Sequence, residues 1–288
     1  MSEAARDALA LTVADWREPL GSESRALALR RALMSGPIDR LPAKIEGVAE
    51  SVLAPLRPSL RLPQARVVST REAEDGTTKW ALEFADGQSA ETVLIPSRTR
   101  ATVCVSSQSG CTRACAFCAT ATLGFRRNLT AGEIVRQFLM AREAAAAQGM
   151  EASNVVFMGM GEPLDNLEEV LAAVRSLTDV FPGLSPRRVT VSTSGVVPRM
   201  KRFLAASRAS LALSLNATTD EVRTRVMPHN RTWPLASIMG ALREASAERQ
   251  RRFFVEYVQL PGVNDALDDA RRLADLLRGL DCHVNVIP

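Results

Sequence analysis

The chain has 288 residues, 46% of them hydrophobic and 24% charged, enough for one large domain or a large domain with a small appendage. It contains no long uncharged apolar run, so no transmembrane helix is expected; its start, MSEAARDALAL, carries acids early and no basic segment, which argues against a secretory signal and predicts a cytoplasmic protein. A net charge of +4 permits nucleic-acid binding without requiring it, and the basic pairs Arg30-Arg31, Arg126-Arg127, Arg187-Arg188 and Arg251-Arg252 each read as solvated surface charge.

Residues 1–62 are rich in Ala, Leu, Arg and Glu at helical spacing and predict a small helical domain, broken by the proline-bearing stretch APLRPSLRLP at 54–63. Residues 63–97 alternate, as in TTKWALEF and ETVLIP, around a turn at Asp86-Gly87, and predict a β-hairpin. From 98 to 288 strands and helices take turns. Strands are expected at 101–106, 154–160, 188–193, 210–216, 253–259 and 283–287. Thr130 and Glu133 form a capping box ahead of an apolar face at Ile134, Val135, Phe138 and Leu139; Leu167, Val170, Leu171, Val174 and Leu177 mark the next helix. Six strands in βα order predict an α/β fold, a parallel sheet curled into a partial (β/α)6 barrel with helices outside. The sixth strand runs to Pro288 with no helix after it, so its apolar face and edge call for a further segment or a partner.

Five cysteines is an odd number, and three of them, Cys111, Cys115 and Cys118, form C-x3-C-x2-C on the loop after the first barrel strand. That crowding resembles no disulfide framework; in a reducing compartment it points to a metal or cluster. Active sites of βα barrels are built on such loops. Three thiolates can hold three irons of a [4Fe–4S] cluster and leave the fourth open to another ligand. The competing reading is a structural zinc site completed by Cys104 or a histidine, although paired C-x2-C units are lacking. Glu162 reads alternatively as a helix N-terminal charge, Ser192 and Ser214 as ordinary strand polarity, Glu91 as a surface glutamate, and Cys104 as a buried packing residue.

The C-x3-C-x2-C motif with Phe117 before its last cysteine resembles the signature of the radical S-adenosylmethionine superfamily. Within it, the stretches EDGTTKWALEFADGQSAETVLIP, RATVCVSSQSGC, CAFCATATLGFRRNLTAGEIVRQ, FMGMGEPLDN, RRVTVSTSGVVP, LALSLNATTDEVR and HVNVIP resemble the RlmN/Cfr family of RNA adenosine methyltransferases from about residue 74 to the last. The resemblance implies that Cys111, Cys115 and Cys118 ligate a [4Fe–4S] cluster whose open iron is chelated by S-adenosyl-L-methionine. It implies cofactor contacts at Phe117, Gly161, Glu162, Ser192, Ser214, Leu215 and Asn216, with Glu162 accepting from the methionyl ammonium; Asn216 stands where some members carry histidine. It assigns proton transfer to Glu91 and, to Cys104, resolution of a covalent protein–RNA intermediate by disulfide formation. His229 and His283 match no motif role and read as structural.

The chemistry so implied is methylation of an adenosine ring carbon (C2) in 23S ribosomal RNA and possibly tRNA, through a methyl group borne on a cysteine and a 5′-deoxyadenosyl radical. The implied partners are the RNA, held by basic surface and the helical domain, and an electron donor such as flavodoxin or ferredoxin; a monomer is expected. Family members continue past HVNVIP to a methyl-carrying cysteine, and Cys282, ahead of the sixth strand, sits at the wrong end of the barrel to replace it. This chain is therefore expected to bind the cluster but not to complete methyl transfer alone. A non-methylating radical enzyme or a cluster-containing RNA-binding protein is the alternative.

Overall fold

The structure, a computed structural model, describes residues 6–36, 39–179, 184–249 and 252–288. It opens on a two-residue strand, β1 (Arg6–Asp7), and two helices, α1 (Val13–Leu20) and α2 (Glu23–Ser35). Thr12 and Asp15 cap α1 reciprocally and Gly21, at φ +65°, closes it; Ser22 then caps α2. A single turn, α3 (Glu50–Leu53), leads to β2 (Leu60–Arg61), which pairs in parallel with β1.

Next comes an antiparallel meander of β3 (Ala65–Glu72), β4 (Thr78–Phe84), β5 (Ser89–Ser97) and β6 (Arg100–Cys104). The turn at Asp86-Gly87 joins β4 to β5 as the alternation predicts, but two features go beyond a hairpin. A third strand, β3, flanks it, and β5 pairs with the first barrel strand, β6, through the two-residue turn Arg98-Thr99, where Arg98 takes φ +54°. A short ribbon of β7 (Gln108–Gly110) and β8 (Phe125–Asn128) follows. The remaining elements alternate: α4 (Ala131–Ala147), β9 (Glu151–Phe157), α5 (Leu167–Asp179), β10 (Val189–Thr193), α6 (Val197–Ala206), β11 (Ser210–Ser214), α7 (Asp220–Val226), α8 (Leu235–Arg249), β12 (Phe253–Val258), α9 (Leu267–Leu277) and β13 (Cys282–Ile287). One nine-stranded sheet results, in the order β13-β12-β11-β10-β9-β6-β5-β4-β3, and the six expected barrel strands run parallel within it.

Strand alternation sorts side chains between two faces. Val103, Val155, Val191, Leu213 and Val255 are fully or almost fully buried and face the helices. Cys104, Val156, Ser192, Ser214 and Glu256 lie on the inner face and are half-buried. Register links the inner residues across strands: Cys104 pairs with Val156, Ser192 with Ala212, and Ser214 with Glu256, which pairs with Asn285.

The N-terminal helices pack on the barrel's outer layer. Arg30 is 0% exposed, against the surface expectation, because it shares the apolar stripe of Ala26, Leu29 and Leu33; its Nη2 donates to the carbonyl of Ser176 on α5 at 2.8 Å, and the Ser176 hydroxyl donates to the Leu9 carbonyl at 2.6 Å. Arg127 is likewise half-buried and ion-paired, while Arg31, Arg126, Arg187 and Arg252 are exposed; Arg251 lies outside the described residues. Among the described residues no helix is long and apolar enough to cross a membrane.

Candidate active site

The loops leaving the C-terminal ends of β6, β9, β10 and β11 meet at one rim. After β6 the chain forms the β7–β8 ribbon, and the loop between its strands carries Cys111, Cys115 and Cys118. Alternation does not reveal this ribbon, because SQSG and FRRN carry no apolar period. Its crossing is tight: Gly110 takes φ +75°, and a Cβ there would stand 1.7 Å from the Gly124 carbonyl oxygen. The amide of Cys111 donates to that same carbonyl at 3.2 Å, Cys118 N donates to Cys115 O at 3.1 Å, and Ala116 N donates to Val226 O at 2.9 Å, docking the loop on the end of α7. Thr112 and Arg113 both donate to Asp165, at 2.5–2.6 Å, and Arg199 of α6 joins them on the same carboxylate. On the opposite side Arg127 bridges Glu133 at the start of α4 and Asp86 of the hairpin turn, its guanidinium 5.4 Å from the Phe84 ring.

The three thiols and Phe117 are half-buried. Burial pushes the Cys115 thiol up to about 12 and raises Cys111 as well, with the neighbouring cysteines and Glu162 adding to both; Arg223 opposes at Cys115 and Arg113 at Cys111. Among the described residues no three His, Cys, Asp or Glu side chains converge on the position of a single metal ion.

A second loop, after β9, forms a shelf against β7. A Cβ on Gly159 would meet the Ser106 hydroxyl at 2.7 Å, and one on Gly161, at φ +105°, would meet the Gln108 side chain at 2.6 Å. This close approach places Glu162, whose amide donates to Gln108 Oε1 at 3.0 Å. Its carboxylate is 3% exposed and accepts from Leu164 N at 3.2 Å, Ser194 N at 2.8 Å and the Ser194 hydroxyl at 2.6 Å. The helix-end reading holds locally, since Glu162 caps the short turn Pro163–Asn166. Sites for further donors remain on its oxygens.

Ser194 and Arg223 have no assigned role in the sequence, and His229, which reads there as structural, packs beside them. Arg223 is fully buried; His229 Nε2 lies 2.8 Å from the Ser194 carbonyl, and burial lowers the imidazole to about 4, so it is neutral near pH 7. Their signal is weak, since the contacts that join them, Ser194 with Glu162, Arg223 and His229, span long stretches of chain. Ser192 donates to Phe157 O at 2.7 Å, the Ser214 carbonyl accepts from Arg223, and Leu215 is buried at the end of β11. Asn216 takes φ +55°; its Oδ1 accepts from Val258 N at 2.9 Å, so this side chain shapes the strand ends.

Glu91 and Cys104 stand apart from the cysteine loop on the inner face. Val93 pairs with Cys104, and Glu91 is two residues along β5 on the same face, 2.9 Å from Lys79 Nζ. Burial pushes the Cys104 thiol up to about 11, and the Glu91 charge adds to the shift. Glu91 also lines a cavity of about 370 Å³ between hairpin and ribbon, with Ser109, Leu123, Arg126 and Met160. Cys282 begins β13, at the end of the barrel opposite the rim.

The model of the Radical SAM superfamily matches residues 105–277. The dual-specificity RNA methyltransferase RlmN of Rhodospirillum rubrum is 48% identical over 246 residues, covering 81% of this chain and 58% of its own length. That of Syntrophobacter fumaroxidans is 39% identical over 276 residues, covering 95% of this chain and 80% of its own. The chain belongs to the RlmN family of the radical SAM superfamily. The crystal structure of a radical SAM methyltransferase from Sphaerobacter thermophilus superposes with a TM-score of 0.87 at 38% identity, over 99% of this chain and 85% of that one. The chain spans 58% of the first of these RlmN relatives.

The radical SAM family implies a [4Fe–4S] cluster and S-adenosylmethionine. The residues at the RlmN-family rim fit both. Cys111, Cys115 and Cys118 lie half-buried on one short loop, where each thiol can take a separate iron of a cluster. The shelf at Gly159 and Gly161, where a Cβ would collide, and the Glu162 carboxylate beside it offer close backbone approach and an acceptor for an ammonium.

Proposed function

We propose that this chain acts in radical-SAM methylation of C2 of adenosine in 23S ribosomal RNA, with tRNA as a second candidate substrate, through a methyl group borne on a cysteine. The observation that carries the proposal is the joining of the cysteine loop, the glycine shelf and Glu162 at one barrel rim. When bound, the cluster supplies the electron that cleaves S-adenosylmethionine to a 5′-deoxyadenosyl radical. Cys111, Cys115 and Cys118 would hold it; the raised thiols of Cys111 and Cys115 give up their protons on binding iron. Glu162, oriented by Ser194, would accept from the methionyl ammonium, with Phe117, Gly161, Ser192, Ser214, Leu215 and Asn216 shaping the rest of that pocket.

Cys104 would resolve the covalent RNA intermediate. Its thiol is held protonated, so this duty needs a base, and Glu91 is the carboxylate on the same wall. The RNA would meet the rim beside the exposed Leu123, Phe125 and Arg126, where apolar and basic side chains alternate as in surfaces that stack unpaired bases. The helical region to residue 62 would add affinity, with the segment 63–97 connecting it to the barrel. Flavodoxin or ferredoxin would supply the electron, and the protein would act as a cytoplasmic monomer.

The test is anaerobic reconstitution of the chain with iron and sulfide, followed by S-adenosylmethionine, a reductant and ribosomal RNA. Visible cluster absorption and 5′-deoxyadenosine are the expected products, and 2-methyladenosine in the digested RNA would show that this chain completes methyl transfer alone. Absence of cluster absorption or of 5′-deoxyadenosine would overturn the reading.

A further inference from the structure

Arg223 on α7 is 0% exposed, and a guanidinium taken out of water normally finds a carboxylate. Here all four of its hydrogen bonds end on neutral oxygens: Leu215 O at 3.0 Å, Ser194 O at 2.6 Å, Ser214 O at 3.1 Å and Asn230 Oδ1 at 2.9 Å. These acceptors fix the group in place but leave its charge uncancelled. Burial lowers it only to about 10, so it is a cation at neutral pH.

The surroundings show where that charge acts. Ser194 is shared: its carbonyl accepts from Arg223 while its amide and hydroxyl serve the Glu162 carboxylate. Three residues beyond Arg223, the carbonyl of Val226 receives the amide of Ala116, the residue after Cys115. Once deprotonated on a metal, Cys115 would favour the Arg223 cation, as Asp220 and Glu162 do. Asp220 is engaged elsewhere, by Asn230 and the amide of Leu235. Arg113 and Arg199, two further cations at the loop, are both tied to Asp165. The neighbouring His229 is neutral.

We infer that Arg223 is a positioning residue of electrostatic kind, a built-in counter-charge behind Cys115 and Glu162 that favours the reduced, more negative state of the cluster. The inference rests on the assignment of Cys111, Cys115 and Cys118 as cluster ligands. A fixed charge near a cluster is one of the means by which protein sets its potential. Neutral acceptors serve this role better than a carboxylate, which would cancel the field.

The test compares reconstituted wild type, Arg223→Gln and Asn230→Asp by iron content and by redox titration followed with electron paramagnetic resonance. Arg223→Gln removes the cation; Asn230→Asp retains it and puts a carboxylate on Nη1, while losing the amide's hydrogen bond to Asp220. Both are expected to make reduction harder, by about tenfold in the reduction equilibrium for the Gln variant, which is about 59 mV for one electron, and by less for the Asp variant. Iron-loaded variants with the wild-type potential would overturn the inference, and if Arg223→Gln does not fold the Asp variant alone decides it. Failure of the wild type to load iron would count instead against the ligand assignment.

Discussion

Cys104 and Cys115 are thiols whose chemistry is set by where the fold puts them. Cys104, at about 11, carries roughly a hundredfold less thiolate near pH 8 than an ordinary cysteine, so iodoacetamide is expected to label it about a hundredfold more slowly than an exposed thiol, as peptide mass mapping would show. Glu91→Gln removes a like charge and should speed that labelling; an unchanged rate would separate Glu91 from the thiol. The spacing of Cys111, Cys115 and Cys118 made their shared loop legible, because a ligand triad is written in one short stretch. Ser194, Arg223 and the buried Arg30 were not legible. Ser194 and Arg30 are defined by partners tens of residues away, Arg223 partly so, and a serine or arginine looks the same in sequence whether it meets water or a buried carbonyl.

Among elements, the barrel strands and α4 could be read directly, since alternation, helical period and a capping box all agreed. Helix α4 also carries a polar group inside its apolar face. Gln137 accepts from Thr92 Oγ1 at 2.9 Å and from Ser106 N at 2.8 Å, and donates to Ser106 O at 3.0 Å, clamping the chain just after β6. Gln137→Leu keeps the apolar character of the face but orphans these groups, and should cost about 2–4 kcal/mol in urea unfolding. Thr130→Ala, which removes the α4 cap and a long hydrogen bond to Asp7, should cost about 1 kcal/mol. The ribbon β7–β8 escaped detection for the opposite reason. It is held by Gly110, Gly124 and the Arg127 ion pairs, which leave no periodic trace.

At the scale of the molecule, the N-terminal region meets the barrel through Asp7, whose carboxylate lies against the start of α4; a Cβ on Gly132 would stand 1.8 Å from it. Burial raises this carboxyl from its ordinary 3.8 to about 6. The folded chain therefore holds the proton more tightly than the unfolded one, and the contribution is intact below pH 3.8 and lost as pH rises through 6. Asp7→Asn should match wild type near pH 4 and exceed it above pH 6 by on the order of 3 kcal/mol, read from unfolding curves across that range. Sequence texture divided this chain into three parts, and the nine-stranded sheet joins two of them, because the strand pairing of β5 with β6 is a property of both and of neither alone.

The turn at Arg98-Thr99 gives that pairing an arithmetic. Two residues separate Ser97 from its partner Arg100, and counting outward from them brings Val93 opposite Cys104 and leaves Glu91 on the thiol's side of the sheet. An odd change in the count, taken up as register, would exchange Cys104 for a valine on the inner wall; an even change would keep it there but slide it about 7 Å from its level. The distance between an acid and a thiol is thus stored in the parity of a loop that touches neither.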